Sequence, residues 1–150
     1  NGDRKAHLSA MTAMLTYPGV PSIFAGDEIG LEGSWGEDSR RTINWEDRSG
    51  WDHEFLAEVK KLVHLRRNHD GLTEGGLRWV AVEDNFICYL RESEKQSVLV
   101  FISRKAVRTE IDLADYGYKV SKTLYGPEAT GGSVKIDAEY ATQGIWEVKG

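Results

Sequence analysis

The spacing of apolar residues divides the chain into two parts with different periods. In the first part, residues 3–16 predict a helix, because apolar side chains recur there at three- and four-residue intervals and Asp3 can cap the first turn. A Tyr-Pro-Gly turn at residues 17–19 ends this helix. Residues 53–67 predict a second, strongly amphipathic helix with one apolar and one charged side.

The segment between the two helices predicts a strand followed by a long loop. Residues 20–26 are a short, nearly all-apolar run, which is typical of a strand buried on both faces in a parallel sheet. Asp27 and Glu28 follow where this strand would end. Residues 30–52 predict a loop whose length is unusual for a simple connection and indicates a functional role. The order helix, strand, loop, helix is typical of an α/β barrel or a doubly wound sheet.

The period changes at residues 71–76, and short strands follow. Seven strands are predicted, at 77–82, 86–91, 97–103, 107–112, 118–124, 133–137 and 144–149. Regular short strands with polar turns indicate an antiparallel sandwich. The predicted fold class is therefore α/β plus all-β, with one domain over residues 1–73 and a second over residues 74–150.

Composition narrows the class of function. The net charge of −5 argues against a nucleic-acid or anionic-membrane partner, and no apolar run approaches the ~18 residues of a spanning helix. The single Cys88, which we expect to be buried in a strand, excludes an intrachain disulfide framework and is compatible with a reducing, cytoplasmic location. The histidines show no metal-ligand spacing, so we expect neither a metal nor a cofactor; they are His7, His53, His64 and His69.

The most specific stretch is residues 15–30, which read LTYPGVPSIFAGDEIG. It describes a helix end, a tight turn, a buried strand and carboxylates at the strand's C-terminal end, where α/β barrels keep their active sites. This stretch resembles the seventh helix and eighth strand of the α-amylase superfamily, glycoside hydrolase family 13. Residues 38–45, DSRRTINW, resemble the loop that the family writes as D-x-x-R-x-x-M-x-W. The resemblance is specific over residues 8–76, and beyond them it rests on architecture and the order of segments.

The resemblance implies a division of the fold and an activity. Residues 1–73 would be the last βα portion of a (β/α)₈ TIM barrel (helix 7, strand 8, a long loop and helix 8), and residues 74–150 an antiparallel β-sandwich C-terminal domain. The loop is most similar to cyclomaltodextrinases, neopullulanases and maltogenic amylases, which implies a retaining glycosidase that cleaves α-glucosidic bonds in maltooligosaccharides or cyclodextrins.

The resemblance also implies that the catalytic machinery lies outside this sequence. The family's catalytic carboxylates come from the fourth, fifth and seventh strands, which by sequence order precede Asn1. The sequence also begins without an initiator Met and reads as if cut from inside a longer protein. We therefore expect no catalytic residue in this chain and no activity from the chain alone.

The candidate substrate contacts lie in the long loop. The resemblance implies that Arg40 holds a distal sugar together with an Asp four residues earlier, but that position is Gly36 here. An arginine presents a rigid fork of donors suited to hydroxyls or carboxylates. A surface ion-pair cluster is the alternative interpretation of these charges. The candidate residues are Glu37, Asp38, Arg40 and Arg41.

Four further features carry predictions. Asp27 and Glu28 are adjacent, so in an extended chain they point to opposite faces and cannot act as a cooperating pair. We expect them to orient the loop, with ligand contact as the alternative. Trp45 is predicted to pack under the loop rather than stack on sugar, and Trp35 could do either. Residues 68–70, NHD, match a family signature in letters but follow the second helix, so we predict a polar helix terminus capped by residue 68 or 71.

Two other classes of function stay open, namely a carbohydrate-binding module and a purely structural or interaction domain. Strong maltooligosaccharide affinity of residues 75–150 alone would favour the first, and the absence of any sugar binding would favour the second.

A barrel portion of this size leaves strand edges and apolar surface without partners. We therefore expect self-association through residues 3–30, and the parent protein could itself be dimeric.

Overall fold

The computed structural model describes residues 3–34 and 36–150. Helix α1 spans Arg4–Thr16, α2 spans His53–Asn68, and the single helical turn α3 spans Asp70–Thr73. Seven strands follow, namely β1 (Gly76–Val82), β2 (Phe86–Glu92), β3 (Ser97–Ser103), β4 (Val107–Asp112), β5 (Lys119–Tyr125), β6 (Ser133–Ala138) and β7 (Gln143–Lys149). Short 3₁₀ turns occupy Asp27–Ile29, Gly36–Arg40 and Ala114–Tyr116. None of the helices among the described residues has both the length and the apolar character that a membrane crossing needs.

The seven predicted strands are confirmed, each with bounds within one residue of the prediction. Five of them form an antiparallel sheet in the order β1-β2-β3-β7-β5, and β4 pairs with β6 in a second, two-stranded sheet. The fold is therefore mostly antiparallel β-sheet with few helices, as the sandwich prediction expected.

The five-stranded sheet is buried on both faces, which makes the molecule three-layered. On one face, Leu99, Phe101 and Trp146 pack against Ile111 and Ile136 of the two-stranded sheet. On the other face, a second cluster joins the helices to the sheet; it comprises Leu15, Leu62, Leu72, Tyr89, Val98, Val100, Ile102 and Ile145. Because both faces are covered, β3 reads as a nearly continuous apolar run rather than an alternating one.

Cys88 lies where the sequence predicts, inside the core between the two sheets. Its side chain is fully buried, and burial raises the pKa of its thiol to about 12. A thiol that stays protonated in an apolar environment is a poor nucleophile. Cys88 therefore contributes packing to the core.

Helices α1 and α2 lie side by side and run in the same direction. At their N-terminal ends, Arg4 donates to the carboxylate of Asp52, which also caps α2 by accepting from the Phe55 amide at 2.8 Å. At their C-terminal ends, Arg66 of α2 donates to the carbonyl oxygen of Leu15 at 2.8 Å. Two consecutive parallel helices require a chain segment that returns along their length, and residues 17–52 provide it.

The returning segment does not form the strand predicted over residues 20–26, so that prediction is wrong for this chain. A strand needs hydrogen-bonding neighbours, and none of the seven described strands lies beside this segment. Its burial nevertheless alternates: Pro21 and Ile23 are half-buried, whereas Ser22 and Phe24 are exposed. Ile23 packs between the two helices, and Val20 is 96% exposed. The segment thus has one face covered by helices and one face open.

Two buried arginines hold the end of α1 against the rest of the molecule. Arg66 donates to the carbonyl oxygens of Leu15, Tyr17 and Gly19 at 2.8, 3.0 and 2.6 Å. Arg91 of β2 donates to the carbonyl of Thr16, and to that of Gly75 at 2.7 Å. Neither guanidinium forms an ion pair with a carboxylate of the described residues. Carbonyl oxygens at a helix C-terminus carry partial negative charge, so they are suitable partners for these cations.

We expect Arg91→Met to lower the free energy of unfolding by about 2–5 kcal/mol, because it leaves the buried carbonyls of Thr16 and Gly75 without donors. The matched control is Arg108→Met, which removes a guanidinium from an exposed pair with Asp137 and should cost about 0–1 kcal/mol. Urea unfolding at neutral pH measures both. Equal losses of unfolding free energy in the two variants would contradict the proposed role of Arg91 in holding the end of α1.

Candidate functional site

The loop over residues 26–52 begins with a tight turn that contains the two adjacent carboxylates. Gly26 has a φ of 102°, and a Cβ atom there would lie 2.7 Å from the Leu31 side chain, so only glycine fits. Its amide donates to Oε2 of Glu28 at 3.0 Å, and its carbonyl accepts from the Leu31 amide at 2.9 Å. Glu28 is therefore turned back onto its own loop. Asp27 lies half-buried at the start of the same turn.

Asp38 and Arg41 form the best-defined charged contact of the loop. Arg41 donates from Nε to Oδ1 of Asp38 at 3.0 Å and from Nη2 to Oδ2 at 2.8 Å, a two-pronged pairing. Ser34 donates its amide and its hydroxyl to Oδ2 of Asp38, both at 2.8 Å. The Arg41 guanidinium, followed by the Ser34 donors, holds the pKa of the Asp38 carboxyl well below its usual range. This part of the cluster is the surface ion pair that the sequence offered as an alternative.

Arg40 is placed differently from its neighbour. Its side chain is exposed and makes no hydrogen bond or ion pair with any described residue, and Glu37 is likewise exposed. Arg40 lines an open groove of about 620 Å³ together with apolar and aromatic side chains. The other lining residues are Phe24, Ala25, Arg41, Thr42, Ile43 and Trp45. The groove thus combines a free guanidinium with exposed rings.

Trp45 does not pack under the loop as predicted, because 61% of it is exposed. Its ring meets the edge of Trp51 at a centroid distance of 5.3 Å, and Trp51 also lies 5.0 Å from the Arg48 guanidinium. The loop is too open for a large ring to bury both faces, so Trp45 rests on one neighbour and presents the rest to solvent. Trp35 lies outside the described residues.

The remaining polar candidates form no site. Residues 68–70 end α2 and begin α3, as the predicted helix terminus requires, although His69 rather than Asn68 or Gly71 occupies the capping position between them. Within the described ranges, no cluster of three or more His, Cys, Asp or Glu side chains could hold a metal ion.

Known proteins resemble this chain in sequence over about two thirds to three quarters of its length. No protein-family model matches. A cyclomaltodextrinase from Bacillus sp is 31% identical over 105 residues, which cover 69% of this chain and 19% of that protein. A maltogenic α-amylase from Bacillus acidopullulyticus is 31% identical over 120 residues, covering 77% and 20%. The neopullulanase 2 of Thermoactinomyces vulgaris is 31% identical over 104 residues, covering 68% and 18%. The chain spans about a fifth of the length of these relatives.

Solved structures share the fold over nearly the whole chain. The debranching enzyme from Nostoc punctiforme matches 97% of this chain and 32% of its own, with a TM-score of 0.80 and 25% identity. The α-amylase from Geobacillus thermoleovorans, complexed with acarbose, matches 100% of this chain and 34% of its own, with a TM-score of 0.80. Its 19% identity makes this second match evidence of fold alone.

The overall fold of the chain is thus shared with the debranching enzyme and the α-amylase. The chain belongs to the α-amylase superfamily, glycoside hydrolase family 13, and its match fits the C-terminal portion of cyclomaltodextrinase- and neopullulanase-like members. The family that the sequence resemblance predicted is confirmed.

Arg41 and Arg40 should differ in their effect on the pKa of Asp38. Because its pKa is lowered, Asp38 stays ionised and paired at pH values below the usual aspartate range, and the pairing is lost only as the pH falls through the folded-state pKa. We expect Arg41→Met to raise the pKa of Asp38 towards the ordinary value of about 3.9. Arg40→Met should leave the pKa of Asp38 unchanged, because Arg40 does not contact it. Carboxyl carbon shifts followed by NMR measure both, and equal effects would contradict the pairing.

Proposed function

We propose that this chain is the C-terminal portion of a retaining glycosidase that cleaves α-glucosidic bonds in maltooligosaccharides or cyclodextrins. In this proposal, residues 1–73 are the last βα portion of a (β/α)₈ barrel and residues 74–150 are its C-terminal β-sandwich. The chain would brace the barrel and supply one wall of the active-site entrance. The names of the relatives, cyclomaltodextrinase, maltogenic amylase and neopullulanase, support the substrate class. The intracellular maltogenic amylase of Bacillus subtilis is a further relative, which supports a cytoplasmic location.

The single observation that carries the barrel assignment is the parallel arrangement of α1 and α2 with a returning segment between them. In α/β barrels, each helix is followed by a strand that runs back along it, with helices outside and strands inside. Residues 20–29 follow that path, because they start at the helix C-termini and Ile29 reaches Asp52, whose amide donates to its carbonyl at 2.9 Å. Ile23 faces the helices, and Phe24 faces away from them, where the barrel interior would lie.

Arg40 is the residue that we propose contacts substrate. It is free of partners in the described part of the chain and lies beside Phe24 and Trp45 in the open groove. Arg41 and Asp38 satisfy each other, so their proposed role is to shape the loop around Arg40. Glu37, three residues before Arg40 in the sequence and exposed, is the carboxylate that we propose acts beside Arg40. Asp27 and Glu28 would orient the loop where it begins.

Catalysis would depend on residues that this chain does not supply. Retaining cleavage needs a nucleophile and an acid whose carboxyl groups flank one bond about 5–5.5 Å apart. Glu28 is occupied by the Gly26 amide, and Asp38 by Arg41 and Ser34. Neither is placed as a free carboxylate facing a sugar, so these two do not form a catalytic pair. We propose that the chain alone is inactive.

We expect the 150-residue chain to release no reducing sugar from maltotriose or cyclomaltodextrin above a no-protein blank. A cyclomaltodextrinase serves as the positive control for the assay. Turnover at ordinary enzyme rates of about 1 s⁻¹ or more would contradict the proposal. If turnover is seen, the double variant Asp27→Asn, Glu28→Gln tests its source: loss of the activity assigns it to these two carboxylates, and activity that persists does not come from them.

The open face of the returning segment should make the chain self-associate through residues 3–30. Val20 and Phe24 are 96% and 56% exposed, and exposed apolar side chains beside a segment without strand partners favour association. We expect concentration-dependent dimers or larger species in sedimentation velocity. The double variant Val20→Asp, Phe24→Asp should shift the population to monomer. The control Val82→Asp, at an exposed valine of β1, should not, and a wild-type monomer at high concentration would contradict the prediction.

A further inference from the structure

We propose that Tyr17 and Trp79 form a second carbohydrate-binding site, an aromatic platform that stacks an α-linked glucan away from the groove of Arg40. The choice of ligand rests on the proposed function, whereas the site itself rests on geometry. Tyr17 follows α1 and Trp79 lies on the edge strand β1, so the two residues are neighbours in space although they are far apart in the sequence.

The two rings are large, adjacent and open to solvent. Tyr17 is 47% exposed and Trp79 is 45% exposed. Their centroids are 6.4 Å apart, and their planes are inclined by 46°. Aromatic faces stack against the apolar C–H faces of sugars, and two inclined rings suit a chain that curves from one sugar to the next, as an α-linked glucan does.

A third ring fixes the orientation of the platform from below. Tyr89 is fully buried and meets both rings edge-on, at 6.2 Å from Tyr17 and 5.6 Å from Trp79. Its hydroxyl is held by Thr16 at 2.6 Å. Two buried arginines also hold the turn that carries Tyr17. The platform is therefore preorganised, which lowers the ordering cost of binding.

The polar atoms of the platform are available to a ligand. Within the described residues, neither the Tyr17 hydroxyl nor Nε1 of Trp79 has a hydrogen-bond partner in the protein. In contrast, Nε1 of Trp146 donates to the carbonyl of Pro127 at 2.9 Å, and the Tyr116 hydroxyl donates to that of Val80 at 3.1 Å. A sugar hydroxyl could accept from Trp79 while its ring face stacks.

The surroundings favour a neutral ligand. Arg78 is the charged neighbour of Trp79 on β1, but adjacent strand residues point to opposite faces of the sheet. Arg78 pairs with Glu92 at 2.7 Å and lies over the Tyr116 ring at 5.3 Å, on the side of the two-stranded sheet. The platform faces the helix layer instead, so no formal charge of its own strand points into it.

The platform is separate from the groove of Arg40. It lies at the C-terminal end of α1, whereas the 26–52 loop meets the helix pair at its N-terminal end through Asp52. A helix of 13 residues is about 20 Å long, so the two sites lie at opposite ends of that length. A bound glucan at one site does not occupy the other.

The test is a titration of the full 150-residue chain with maltoheptaose, following the indole N–H signals of the tryptophans by ¹⁵N–¹H NMR. The Val20→Asp variant, which leaves the lining of the Arg40 groove intact, is used as the background to reduce association. We expect the Trp79 signal to shift saturably in the millimolar range. Tyr17→Ala should weaken the binding reported by the Trp79 signal at least tenfold. Trp79→Ala and Trp79→Phe lack that signal, so isothermal titration calorimetry measures them; Trp79→Ala should weaken binding at least tenfold and Trp79→Phe should retain most of it. Cellohexaose, which is flat, should bind at least tenfold more weakly than maltoheptaose.

The controls separate this proposal from the proposed function. Arg40→Ala and Trp45→Ala change only the groove and should leave the Trp79 titration unchanged. A shift at Trp45 with none at Trp79 overturns the platform while leaving the groove assignment in place. A shift at Trp79 that is equal in the Tyr17→Ala variant also overturns it, because the paired rings are then not the binding unit. A Trp79 shift without any effect at Trp45 supports the platform and counts against the groove.

Discussion

The C-terminal end of α1 is held by two buried arginines, and the relation between the helices and the sheets depends on that contact. Arg66 reaches it from α2 and Arg91 from β2, and both donate to carbonyl oxygens rather than to carboxylates. Burial lowers the pKa of both guanidinium groups, which shows the cost of placing two like charges there. That cost is offset only if every donor is satisfied, so the end of α1 and the turn after it have little freedom to move.

The contact of the two arginines with the end of α1 affects both proposed sites. It fixes Tyr17 beside Trp79, and it starts the returning segment that ends at the loop of Arg40. It also closes one face of the five-stranded sheet, where Leu15 and Leu62 pack on Tyr89 and Val100. Residues 74–150 would expose that face if they were separated from the helices. Sugar binding by the β-domain is therefore a property to measure on the whole chain, and the binding-module and glycosidase interpretations need not exclude each other.

The local sequence pattern was sufficient to predict an element wherever the packing and hydrogen-bonding partners of that element lie within the chain. Both long helices and all seven β-strands follow from periodicity and turn residues, because each antiparallel strand finds its neighbour within the chain. The strand over residues 20–26 does not form, although its sequence is strongly apolar, because a strand of a parallel sheet depends on neighbours that are not among the described strands. Trp45 is also exposed where packing was expected, because the loop is too open to bury its ring.

The sequence by itself therefore determined the two long helices, the seven β-strands and their order. It also determined the family, through the Pro-Gly turn, the apolar run and the Asp-Glu pair that follow one another without gaps. Only the tertiary structure decided which charges pair and which aromatic rings meet. Asp38 selects Arg41 over Arg40 through the geometry of a short 3₁₀ turn, and Tyr17 meets Trp79 because two arginines place the turn against β1. The Tyr17–Trp79 contact joins positions that are distant in sequence, and no local period can encode it. The choice between Arg40 and Arg41 is local, but it depends on how the turn orients two adjacent side chains.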